Sequence, residues 1–284
     1  MATRTLYAGQ TAEIKTNDGT KYYLPISSAS CEVSRPIEFV TTFGHINNVA
    51  AAQNNFTTCK ASLKAYLQNG SGLTAACIGK LTGDAIAGNK TVITVSPNGF
   101  TMSGVITSLG LDLSMGSFGT ADLSFNGLGE PFFDTGSAST SIPTDSAFMP
   151  TAIIPVVSTN VGGVSGCASS FKFSLDLPNE PLACLGDPIT GSQGQITNSV
   201  LVTKFPLKAS LALEGYGVDV STANEWTTGS GAGLANQIVQ TFTIGGLGIK
   251  LPNPKVMSKS VNQAVGAVGA TYNVSVEDVM ATFS

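Results

Sequence analysis

The chain has 284 residues, 42% hydrophobic and 7% aromatic, long for one β domain and ample for two of about 140 residues with separate cores. Charged residues make up only 11% and the net charge is −4, against roughly 25% charged in ordinary soluble domains. That balance argues against a basic stripe able to neutralise nucleic-acid phosphates. Mean hydropathy is +0.23, yet no run of about 18 apolar residues could span a bilayer, and the polarity comes from Ser, Thr, Asn and Gly. Two readings fit this composition: a β-rich protein covered by other subunits, or a secreted β protein with a hydroxyl-rich surface.

In chain order, MATRTLYAGQTAEIKTNDG has no apolar segment after Arg4 and is not expected to act as a secretory signal. The Asn55-Phe56-Thr57 and Asn69-Gly70-Ser71 sequons are then chance matches in an Asn/Ser/Thr-rich chain. AEIKTNDGTKYYLPI (12–26) places two strand-like runs around Asn17-Asp18-Gly19, a turn that tolerates positive φ. KASLKAYL (60–67) and KTVITVSP (90–97) have the texture of half-buried strands. In ITSLGLDLSMGSFGTADLSFNG (106–127), Leu109, Leu111 and Leu113 alternate with smaller or polar residues. Gly116 to Gly119 turn the chain, and Ala121, Leu123 and Phe125 alternate back. This predicts a hairpin with one apolar and one polar face.

DTGSASTSIPTDSAFMP (134–150) is small, hydroxylated and proline-punctuated, as a linker is. Beyond it the pattern restarts. SRPIEFVTTFG (34–44) matches DLPNEPLACLG (176–186), with Pro36 on Pro178, Glu38 on Glu180 and Gly44 on Gly186. KASLKAYLQ (60–68) is answered by KASLALEGY (208–216), and VITSLGLDLSMGSFGTADLSF (105–125) by VMSKSVNQAVGAVGATYNVSV (256–276). Three collinear matches flanking a linker predict a domain written twice: residues 1–135, a linker at 136–150, and residues 151–284.

Catalytic constellations are sparse. His45 is the sole histidine, so any Ser-His-Asp triad would rest on it, and it reads as a loop residue. GSGAGL (229–234) lacks the final glycine of a dinucleotide fingerprint, and CIGK (77–80) lacks the spacing of a phosphate loop. Asp112 and Asp122 fall on facing strands of the late hairpin and read as polar-face residues rather than an acid–base pair. The cysteines (Cys31, Cys59, Cys77, Cys167 and Cys184) are odd in number and lack metal spacing, so buried free thiols are expected. No catalytic, cofactor or metal site is expected. Trp226, the lone tryptophan, reads as core or interface packing.

EVSRPIEFVTTFG and ITSLGLDLSMGSFGTADLSFNGLG together resemble the tail tube (major tail) proteins of long-tailed bacteriophages. The matching positions are Arg35-Pro36, then Ile106-Thr107-Ser108, Gly116, Gly119, Ala121, Ser124, Phe125 and Gly127. The resemblance covers residues 1–133 well and 170–284 more faintly, because Leu177 stands where the Arg would be and Val276 where Phe125 would be. It implies a mainly β fold of two tandem β-sandwich or split-barrel tube domains, each with a small flanking helix. It also implies a structural virion protein, assembled in the host cytoplasm into stacked rings that form the tube for DNA ejection. Tape-measure, sheath and tail-terminator proteins would be its partners, and DNA would pass without sequence-specific binding. Two domains per chain imply trimeric rings with pseudo-sixfold symmetry.

The interface is expected in the long connection from Gly44 to Lys60 and its counterpart from Asp187 to Leu207, through His45, Asn47, Asn48, Gln53, Asn54, Phe56, Asp187 and Gln193. Asp112 and Asp122 are expected to face the lumen. The rival reading is a capsid decoration or head–tail joining protein, which would stay small in the absence of capsids.

Overall fold

The computed structural model describes residues 11–40, 50–53, 57–67, 73, 75–96, 99–133, 156–159, 166–182, 189–190, 195–196, 200–217, 240–244, 247–252, 255–262, 270–278 and 281–283. The fold is mainly β, with one α-helix among these residues and a closed six-strand barrel.

The first half begins with a hairpin of β1 (Thr11–Lys15) and β2 (Lys21–Ser34). Its turn is the predicted Asn17-Asp18-Gly19, with Gly19 at φ +88°, a left-handed conformation that suits glycine. β3 (Ile37–Val40) and β4 (Ala50–Gln53) form a separate two-strand arm. β5 (Thr58–Tyr66) returns to pair with β2, and α1 (Ala75–Ala87) follows. β6 (Thr91–Ser96), β7 (Phe100–Ser114), β8 (Thr120–Leu128) and the short β9 (Phe132–Phe133) complete the half. The barrel closes in the order β1-β2-β5-β8-β7-β6 and back to β1.

Alternation decides the barrel wall. Along β5, Cys59, Ala61, Leu63 and Ala65 are buried while Lys60, Ser62 and Lys64 are exposed. Along β8, Ala121, Leu123 and Phe125 point in. Fully burying a side chain the size of Phe125 contributes roughly 1.5–3 kcal/mol. Gly104 of β7 and Gly127 of β8 pair with each other. A Cβ at Gly104 would overlap the Asn126 carbonyl, and one at Gly127 would press on the Ser103 carbonyl and Cys59 Sγ. Backbones approach that closely only without side chains.

The second half contains β10 (Val156–Thr159), β11 (Gly166–Asp176), β12 (Asn179–Leu182), β13 (Ile189–Thr190), β14 (Gln195–Ile196), β15 (Val200–Thr203) and β16 (Lys208–Gly217). It continues with β17 (Gln240–Ile244), β18 (Leu247–Leu251), β19 (Lys255–Asn262), β20 (Ala270–Asp278) and β21 (Thr282–Phe283). β10-β17-β18-β21 form a four-strand sheet, and β12–β15 and β13–β14 are two-strand antiparallel pairs.

The halves join through β7. On the edge away from β8, its first part pairs with β6 and its last part, Ser108–Ser114, pairs antiparallel with β11. An unbroken run β2-β5-β8-β7-β11-β16-β20-β19 therefore crosses from one half to the other. The buried side chains form one cluster that includes Phe171, Phe173, Leu175 and Leu177 of the second half beside Leu109, Leu111 and Leu113 of the first.

Two sequence expectations change here. The stretch from Gly44 to Lys60 is not all connection, because residues 50–53 are a strand paired with β3. Of the described cysteines, expected to be buried thiols, Cys59 and Cys77 are buried but Cys31 is only half-buried. The linker at 136–150, Cys184 and Trp226 lie outside the described residues, and of Cys167 only the backbone is described.

Candidate functional site: an assembly surface

Six strands of this run, β2, β5, β8, β7, β11 and β16, present one polar face. β2 contributes Ser28, Ser30, Glu32 and Ser34, and β5 contributes Lys60, Ser62 and Lys64. β8 adds Asp122 and Ser124, and β7 adds Ser108 and Asp112. Lys172, Ser174 and Asp176 on β11 and Lys208, Ser210 and Glu214 on β16 continue the face into the second half.

Asp112 and Asp122 therefore stand where alternation put them, on the polar side of the late hairpin and outside the barrel core. Asp122 lies directly across from Lys64. Asp112 faces Lys172 across the junction at 3.7 Å. Lys208 pairs with Glu277 at 3.0 Å, and the Ser174 and Ser210 hydroxyls are 2.7 Å apart. Cation and anion alternate across the strands and largely cancel, so the face carries hydroxyls and paired charges rather than a field of one sign. Exposed pairs of this kind each contribute about 0–1 kcal/mol.

Two arms project from this sheet. The β12–β15 pair of the second half docks on α1 of the first. Leu201 is buried, and Thr203 Oγ1 donates a 2.7 Å hydrogen bond to the Ala85 carbonyl near the helix C-terminus. Asn126 Nδ2 donates to Asn179 Oδ1 at 3.0 Å, fixing the base of the arm to β8. The β3–β4 arm instead leaves large apolar side chains open, with Ile37 at 53% and Phe39 at 61% exposure. Apolar groups gathered on a projecting hairpin mark a contact surface more often than a lone exposed leucine would.

A small flanking helix is implied by the resemblance, but the sequence reading does not place α1. Cys77, Ile78, Leu81 and Ala85 are its buried residues, a helical spacing that was the available signal. Gly79, Thr82 and Gly83 dilute that signal, since none is a strong helix former. The helix is tied to the β1–β2 turn by the Lys80–Asp18 ion pair at 2.6 Å and by the Asn17 N–H donating to Asp84 Oδ2 at 3.1 Å. CIGK is thus its first turns, with Cys77 and Ile78 turned into the core.

Of the expected interface residues, only Gln53 falls within the described residues, as the last position of β4. His45, Asn47, Asn48, Asn54, Phe56, Asp187 and Gln193 lie outside them. Among the described residues no cluster of His, Cys, Asp and Glu could hold a metal ion, and no helix is long and apolar enough to cross a membrane. No protein-family model matches the chain, and no curated protein is significantly similar to it.

Proposed function

We propose that the chain is a structural subunit that builds stacked rings of a phage tail tube, and that its two halves are copies of one tube domain. The observation that carries this reading is the unbroken eight-strand sheet. The order β2-β5-β8-β7 is followed without a gap by β11-β16-β20-β19.

Register supports the correspondence strand by strand. β2 bulges against β5 between Ile26 and Ser28, and β11 bulges against β16 between Ala168 and Ser170. The extra residues, Ser27 and Ser169, are 142 apart, the spacing of Pro36 and Pro178. β7 bulges against β8 between Ile106 and Ser108, and β19 bulges against β20 between Val256 and Ser258. Thr107 and Met257 are 150 apart. The arms agree too: Ile37 pairs with Gln53, and Asn179, 142 further on, pairs with Thr203, 150 further on. Bulges are specific features of a fold, and matched positions in two independent ladders are poorly explained by shared turn chemistry.

The correspondence refines the sequence match in two places. Ser34 pairs with Thr58 and Asp176 with Lys208, so Lys208 answers Thr58, and the two KASL tetrapeptides are displaced by two residues. A shift of two keeps every side chain on its face, which is why the match survived in the sequence. The long β7 is answered by two strands, β18 and β19, separated by Pro252-Asn253-Pro254, whose prolines lack the N–H a ladder needs.

A chain carrying two ring units needs three copies where a single-domain chain needs six, giving trimeric rings with a pseudo-sixfold lumen. The polar face, with Asp112 and Asp122, lines that lumen, and its balanced charge lets DNA slide past without being held. Negative-stain images of the purified chain test the reading. Rings or tubes are expected; a monomer at every concentration and ionic strength would overturn it.

A further inference from the structure

We draw no further inference here: the strongest candidate, the apolar face of the β3–β4 arm on which Ile37 and Phe39 stand open, carries none because nothing among the described residues shows what covers it.

Discussion

At the scale of single residues, charge and burial make two checkable statements. The Lys80 ammonium, then the hydroxyl of Thr16 and the N–H of Thr20, hold the Asp18 carboxyl well below the usual carboxylate range. A carboxyl depressed on folding stabilises the fold fully above its ordinary value of 3.8, and that contribution is lost as pH falls below it. Asp18→Asn should therefore narrow the difference between urea midpoints measured at pH 7 and pH 3. An unchanged difference would show that the turn does not contribute to the acid limb. Burial pushes the Cys77 thiol up to about 12 and the Cys59 thiol up to about 11. Since the thiolate is the reactive form, iodoacetamide at pH 8 should label Cys31 well before Cys59 or Cys77 in the folded chain, read by peptide mass mapping. Early labelling of Cys77 would contradict the packing of α1.

At the scale of elements, the junction and the docked arm are where energy is concentrated. Leu111 is 2% exposed and faces Phe173 across the seam. Leu111→Ala should cost about 2–5 kcal/mol in urea unfolding, the range for a large-to-small change in a core. A cost below about 1 kcal/mol would mean that the seam packs loosely. Thr203→Val removes the hydroxyl that caps the Ala85 carbonyl and should cost about 1 kcal/mol. On the open arm, the pair Ile37→Ser and Phe39→Ser should leave the melting temperature nearly unchanged while reducing ring formation; intact rings would remove the arm from the interface. Deleting residues 46–54 is a poorer probe, because it takes away β4 and with it the partner of β3.

Much at this scale was legible in the sequence. The alternation of Leu109, Leu111 and Leu113, and the turns at Gly19 and Gly116, named both hairpins and placed Asp112 and Asp122 on the polar face. β4 was not legible, because Ala50-Ala51-Ala52-Gln53 has no β-branched residue and is a strand only by virtue of its partner. The β7–β11 pairing was also hidden, because periodicity shows which face of a strand is buried but not which edge meets which.

At the scale of the whole molecule, the sheet that runs through both halves is what turns a β fold into a proposed building unit. Low charge follows from the same idea, since surfaces committed to contacts with other copies are depleted in charged residues. The measurement that reaches furthest is the number of chains in one ring, from native mass spectrometry of the assembled particle combined with averaged end-on electron micrographs. Three chains in a ring with six similar lobes is the predicted result. Six full-length chains per ring, or no ring at all, would contradict it.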